Sequence, residues 1–409
     1  MKRTTLTFIV CLAAITGVKA QTKYLGGDIS MLPVYEQNNV SYKDKDGVKQ
    51  TDVIQFFGNN GWNAERVRLF VDPYSGVTHD ATGCYQTLDY VKELGKRIKD
   101  HGQAFMLDFH YSDTWTDPGK HSLPKSWEGL SVEQLKTKIY DYTKDCLAQL
   151  KAYGATPDFI QTGNEITTGM MWPTGGIFGH GDNSWPNFTA YLEQAILACN
   201  EECPKAKIVI HIELHNYNSA KAFFNTLRNT YPNVKFDIIG LSYYPEHHGT
   251  VISFGNLLND IETANPGKDI MIVETGHGSK WHIPGGGDTN YALTEAGQKQ
   301  FTQELVTLLN KHPRVTGLFW WYPEDNGNNV KYNGEKIDWW NASLYNHSTG
   351  KPLAAFYELT NFRPDFVAGI SEITETQGLK NGKTYNLAGQ RVGDDYKGIV
   401  IKNGKKIVK

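Results

Sequence analysis

"YLGGDISMLP", residues 24–33, decides between two folds. A short apolar run meets two glycines and an aspartate, as a parallel strand does where it leaves a sheet. An open doubly wound sheet would place a G-x-G-x-x-G phosphate turn at this point. The chain reads Gly26-Gly27-Asp28 and then Ile29-Ser30-Met31, which is not that turn. Outward from here, seven more apolar or β-branched runs follow: VRLFV (67–71), AFMLDFH (104–110), DFIQTG (158–163), KIVIHI (207–212), DIIGLSYY (237–244), DIMIVET (269–275) and TGLFWWY (316–322). Helical periodicity lies between them. It is clearest over 131–153, where Val132, Leu135, Ile139, Cys146 and Leu150 fall on or near one face, and over 293–309. Eight alternating strand–helix units predict an α/β fold, a (β/α)₈ TIM barrel spanning residues 21–362.

The rest of the chain is read from composition and texture. Of 409 residues, 40% are hydrophobic, and the formal net charge is −3 with no long run of one sign. That balance argues against nucleic acid or an anionic membrane as partner. The 10 Trp, 22 Tyr and 18 Phe supply core and also flat surfaces suited to a sugar. At the start, Lys2 and Arg3 precede an apolar stretch from about Leu6 to Val18, and Val18-Lys19-Ala20 is a small-residue cleavage site. The stretch is too short to span a bilayer. Residues 1–20 are therefore predicted to be a signal peptide, with the mature chain periplasmic, at the cell surface or secreted. Export permits disulfides among Cys84, Cys146, Cys199 and Cys203 in any of three pairings, and buried free thiols fit equally well. After about Asn361 short β runs are split by Gly and Asn-Gly. Two KNGK pieces, 380–383 and 402–405, read as hairpin turns. Residues 366–409 are predicted to form a small C-terminal β appendage. It resembles C-terminal modules of exported Gram-negative proteins, often linked with sorting.

Barrels of this kind work at the carboxyl ends of their strands. Glu165 ends the fourth run and Glu274 the seventh. Glycosidic cleavage needs an acid at the leaving oxygen and a second carboxylate at the anomeric carbon. A single strand-end Glu is most simply a helix cap or an Arg partner. Two at these positions, one of them after Asn164, favour catalysis.

At these residues the chain resembles the family-53 glycoside hydrolases of clan A, the endo-β-1,4-galactanases. The matching segments include GGDIS (26–30), VRL (67–69), DFHYSDTWTDPGK (108–120), PKSW (124–127), GNEITTGMMWP (163–173), IGLSYYP (239–245), IVET (272–275) and WWNASLYNHSTGKPLAAF (339–356). The resemblance covers roughly residues 24–360. It implies Glu165 as acid/base, Glu274 as nucleophile and Asn164 as partner of the sugar 2-hydroxyl. It implies Arg68 near the nucleophile to hold it ionised, with Asp108 and His110 on one strand face and Asp113 in the loop beyond. Tyr243 is expected to contact the nucleophile, and Tyr244 to shape the loop. Trp115, Trp127, Trp172, Trp320 and Trp321 are candidate stacking surfaces. The implied substrate is the β-1,4-galactan of pectin or type I arabinogalactan, cleaved with retention by a monomer without an organic cofactor or membrane insertion. A clan-A endo-glycanase acting on mannan or glucan is the alternative enzyme. A non-catalytic carbohydrate-binding barrel is the alternative binder, against which the presence of both glutamates argues.

The chain also departs from the family pattern. Phe70 in VRLFVDP stands where many relatives have a second arginine. Glu246 and His247 stand where relatives often carry Phe-Trp. Some bacterial members bind calcium in the loop after strand seven. Here that loop offers only Asp288, and Asp325 in PEDNGNN reads as a turn residue, so no metal site is predicted. His211, Glu213 and His215 would face one way on an extended strand, which suits a metal. They do not form the helical H-E-x-x-H motif, and a metal there is not expected.

Overall fold

The computed structural model describes residues 22–75, 83–327, 330–337 and 342–364, with 384–386, 391–393, 399–402 and 405–408 of the tail. The predicted signal peptide lies outside the described residues. Eight parallel strands close into a barrel: β1 (Tyr24–Asp28), β2 (Ala64–Leu69), β3 (Ala104–Phe109), β4 (Phe159–Thr162), β5 (Lys207–Glu213), β6 (Ile238–Tyr243), β7 (Asp269–Thr275) and β8 (Val315–Trp321). Each strand pairs with its neighbours in chain order, and β8 returns to β1 with Asp28 opposite Trp321. Helices α1 (Val53–Asn59), α2 (Leu88–Asp100), α3 (Val132–Tyr153), α4 (Trp185–Glu202), α5 (Tyr217–Thr230), α6 (Val251–Ala264), α7 (Glu295–Leu309) and α8 (Ala354–Leu359) follow the successive strands. The (β/α)₈ expectation holds. The helix read over 131–153 is α3, started by a Ser131–Gln134 capping box and stopped by Gly154 at φ +86°.

Strand alternation sets what fills the barrel. Ala64, Met106, Phe159, Val209, Ile238, Met271, Val273 and Phe319 make one apolar plug inside it. One pleat higher, the inward positions are Arg66, Asp108, Gln161, His211 and Ser242, all buried. The barrel is thus apolar in its lower layer and polar beneath its mouth. This explains why β2 starts at Ala64 and not at Val67, where the apolar run begins. Its first three residues include Glu65 and Arg66, whose charge hides the strand.

One register defect matters for the site. Leu241 pairs with Ile272, but Ser242 pairs with Glu274; on the other side Leu318 pairs with Ile272 and Trp320 with Thr275. β7 therefore carries an extra residue at Val273–Glu274, a β-bulge. Val273 points into the barrel. Strict alternation would send Glu274 outward, and the bulge turns it back to the mouth.

In the tail, Arg391–Val392, Thr384–Asn386, Ile399–Lys402 and Lys405–Val408 form a four-stranded sheet in that order. Lys402 faces Lys405 across an antiparallel pair, as a hairpin at 402–405 requires. The other KNGK piece, 380–383, lies outside the described residues. All four described cysteines are buried free thiols, so none of the three disulfide pairings is formed. Among the described residues no helix is long and apolar enough to cross a membrane.

Candidate active site

The end of β4 is built to present a carboxylate. Gly163 has φ +115°, and a Cβ there would lie 2.6 Å from Ile166 Cγ2. Glu165 itself sits at φ +47°, a left-handed conformation uncommon for a residue with a side chain. Such conformations cost energy and collect at functional sites. The Glu165 N–H donates to His211 Nδ1 at 3.3 Å, which fixes the turn. The same nitrogen faces the Gln161 amide at 3.0 Å, so the imidazole proton lies on Nε2, 2.8 Å from Ser242 Oγ. Burial holds His211 well below the ordinary imidazole range, and it is neutral.

Glu274 has a different environment. Arg66 Nη2 lies 2.9 Å from its Oε1, and the Tyr244 hydroxyl donates to its Oε2 at 3.2 Å. Arg66 also pairs with Asp28 at 2.7 Å and Asp108 at 2.8 Å, and donates to Asn164 Oδ1 and Gln161 Oε1. One buried cation thus faces three carboxylates and orients the amide next to Glu165. The Asn164 amide nitrogen donates to Thr116 O at 2.7 Å and keeps one N–H. Burial raises both glutamates. Glu274 is pushed to about 7, with Arg66 opposing the rise. Glu165 is pushed well above the usual carboxylate range by burial and by the charge of Glu274. Glu274 therefore ionises first and Glu165 keeps its proton.

Both glutamates line one open cleft of about 1030 Å³. Trp115, Thr116, Asp117, Lys120 and Trp321 line it, and so do Phe178, His180, Glu213, His215, His247 and Ile283. Arg68 lies over Trp115 at 4.5 Å and over Trp321 at 4.7 Å, bracing both indoles.

Several expected positions are corrected. Arg68 does not touch Glu274; its ion pair is with Asp28 at 3.3 Å, and Arg66, two residues earlier on the same face, meets Glu274. Tyr243 points out of the barrel, stacked on Phe254 at 4.0 Å with its hydroxyl on Gly249 O. Its neighbour Tyr244 is the tyrosine at Glu274. Trp320 likewise faces outward, donating to Ala342 O, because adjacent strand residues cannot share a face with Trp321. Trp127 is buried against Tyr142 and away from the cleft. Trp172 stacks on His180 at 4.8 Å and donates to Thr168 O, so it backs the cleft wall. Asp113 accepts from Asp72 N and Lys125 N and ties loops together. His110 takes the Thr116 N–H on Nδ1 and sets Nε2 3.2 Å from Asp108, beneath the cleft floor. The H-x-E-x-H residues diverge: His211 serves Glu165, while Glu213 meets His248 at 3.4 Å. Asp288 is exposed and Asp325 accepts from Tyr35 at 2.7 Å. Among the described residues no group of three or more His, Cys, Asp or Glu is arranged to hold a metal. Arg66, Asp28, Gln161, Ser242 and Tyr244 were missed. For Arg66, Asp28 and Gln161 the available signal was a charged or amide residue inside an otherwise apolar strand; Ser242 and Tyr244 offered none.

Comparison with known proteins agrees with this geometry. An uncharacterised protein of Niallia circulans is 32% identical over 375 residues, covering 88% of this chain and 97% of its own length. The arabinogalactan endo-β-1,4-galactanase of Humicola insolens is 30% identical over 312 residues, covering 74% and 89%. Among solved structures, the family 53 catalytic domain of Ignisphaera aggregans superposes with a TM-score of 0.75 at 28% identity, over 85% of this chain and 98% of that one. A fungal β-1,4-galactanase superposes at 0.69 and 28% identity, over 82% and 98%. Residues 24–359 match the model of glycosyl hydrolase family 53, and the chain belongs to that family.

Proposed function

We propose that the protein is an endo-acting β-1,4-galactanase that hydrolyses galactan, including type I arabinogalactan, with retention of configuration. The observation that carries the reading is the split environment of two glutamates in one cleft: Glu274 buried against Arg66 and Tyr244, Glu165 half-buried beside Ser242 and His211. In the first step the ionised Glu274 attacks the anomeric carbon, the glycosidic C–O bond breaks, and Glu165 gives its proton to the leaving oxygen. In the second step Glu165 takes a proton from water, the water oxygen attacks the same carbon, and the bond to Glu274 breaks. Asn164 holds its free N–H toward the 2-hydroxyl. Trp115 and Trp321, braced by Arg68, supply apolar faces for sugar rings. No step calls for an organic cofactor or metal. The relatives named as galactanases support galactan as substrate. The leader at residues 1–20 supports export, and the enzyme acts as a monomer. Incubation with galactan, β-mannan and β-glucan tests the reading. Oligosaccharides released from galactan alone support it; release from another glycan instead, or from none, overturns it.

A further inference from the structure

The loop that follows β7, residues 276–294, contains no helix or strand. A loop of that length inside a compact domain needs something to hold it, since each ordered residue loses conformational entropy. Its Ile283 and Pro284 nevertheless form part of the cleft. In the ring of eight strands β7 stands opposite β3, whose following loop carries Trp115, Asp117 and Lys120. The two loops are therefore facing walls, and the position of one sets the width between them.

Outside side chains hold the 276–288 stretch: Gln298 donates to His277 O at 2.9 Å, and Glu246 takes several of its nitrogens at once. This residue lies in the short helix Pro245–His248 after β6, and its side chain is fully buried. One carboxylate oxygen lies 3.1 Å from His277 Nδ1 and accepts the Gly278 N–H at 3.2 Å. The other meets His282 Nδ1 at 2.9 Å and accepts the Ile283 N–H at 3.0 Å. Its backbone carbonyl takes the Gly287 N–H at 2.9 Å. Gly286 packs so closely that a Cβ would lie 2.6 Å from the carboxylate oxygen. Burial alone would lift this carboxyl, but the His277, Gly278 and His282 hydrogen bonds outweigh it and keep it below the usual range. Each carboxylate oxygen thus faces two nitrogens of the loop, one of them a backbone N–H. The chemistry of Glu246 is spent on the loop and none of it faces the cleft.

We infer that Glu246 is a positioning residue that clamps loop 276–288 as one wall of the cleft and so governs how tightly and in what register the polysaccharide is held. This rests on the galactanase reading, and it concerns binding and product length, not bond cleavage.

The test uses Glu246→Gln, Glu246→Ala and Gly286→Ala in the full chain. Glu246→Ala is expected to raise KM for galactan about ten-fold, the equivalent of losing one or two good contacts. It should leave kcat on an activated aryl galactobioside within about two-fold, since Glu165 and Glu274 are untouched. The lengths of the oligosaccharides released should shift. Hydrogen exchange should speed up at the Gly278 and Ile283 amides while the barrel strands stay protected. Glu246→Gln, which keeps an acceptor for one of those amides, should fall between wild type and Ala. Gly286→Ala, which pushes on the carboxylate from the opposite side, should give the same signature more weakly. The inference is overturned if the Ala variant keeps the wild-type KM and product pattern with only a lower Tm, or if kcat falls with KM unchanged. Galactan left intact by the wild type would overturn the substrate reading instead. Loop exchange needs no turnover and would still decide whether Glu246 holds the wall.

Discussion

Arg66 and Glu274 lie 2.9 Å apart, guanidinium nitrogen to carboxylate oxygen, with both side chains buried. The same guanidinium serves Asp28 and Asp108, so the cation that favours the ionised nucleophile also holds together the floor of the site. Replacing it separates the two tasks by degree. Arg66→Met leaves buried carboxylates without a partner and should cost about 3–5 kcal/mol of stability. Arg66→Lys keeps a charge but loses the planar fork. It should fold and lose about 100-fold in kcat, the equivalent of about 2.7 kcal/mol. A weaker cationic partner raises the Glu274 pKa, so the acid limb of kcat/KM should move to higher pH. A profile that stayed in place would remove Arg66 from the role given to it.

Glu165 is stabilised in its protonated form, which makes it a burden on the fold at neutral pH. Its carboxyl ionises near pH 4.3 in the unfolded chain and well above that in the folded one. A raised folded value contributes stability fully below the unfolded pKa and loses it as pH rises through the folded pKa. Glu165→Gln, always neutral, escapes that loss. Its Tm should exceed wild type at pH 7 and match it near pH 4, while hydrolysis is nearly abolished. A Tm that is lower at both pH values would mean that the carboxyl is not strained in this way.

Asp108 shows the opposite sign. Burial would raise it, but Arg66 and His110 bring it down to about 2. Its contribution is present above about pH 4 and is lost as pH falls toward 2. Asp108→Asn should be less stable than wild type at pH 7, with a flatter decline in Tm between pH 4 and 2. Parallel curves for the two proteins would contradict this.

Tryptophans separate into two kinds. Trp115, on the cleft beneath Arg68, should raise KM for galactan when changed to Ala, by about 1 kcal/mol or more of lost stacking. Trp127, buried at 1% exposure, should instead cost about 3–5 kcal/mol of stability with little change in KM for the folded enzyme. Kinetics and thermal melts of both variants check the division; exchanged outcomes would refute it.

How far the sequence could be read follows from the same side chains. The barrel was legible because most of its strands are predominantly apolar runs with only one or two polar residues in each, as strands covered on both faces tend to be. The start of β2 was not, since Glu65 and Arg66 lie in a buried strand that composition alone calls polar. Arg66 and Arg68 share a face, and a period of two cannot say which is nearer the mouth. Tyr243 and Tyr244 differ by one step, and so do Trp320 and Trp321. A single step inverts the face of a residue at a strand end. Glu274 was identified from its place in IVET at the end of the seventh run, even though the bulge that aims it leaves no mark in the sequence. Contacts that depend on loop geometry, such as Glu246 with His277 and His282, had no spacing signal at all.

Among the described residues, none of the tail lines the cleft. Deleting residues from 366 onward should leave galactan turnover within about two-fold and change export or retention instead. A folded truncated enzyme with greatly reduced kcat would oppose that separation.

The assignment of the two glutamates is tested most directly by azide rescue with the anomeric configuration of the product read by NMR. Glu274→Ala should lose nearly all activity on an activated aryl galactobioside and recover some with azide, giving the α-glycosyl azide by direct attack. Glu165→Ala should still form the covalent intermediate from the same good leaving group and yield the β-azide. Exchanged products, or an inverted first product from the wild type, would contradict the roles given to Glu165 and Glu274.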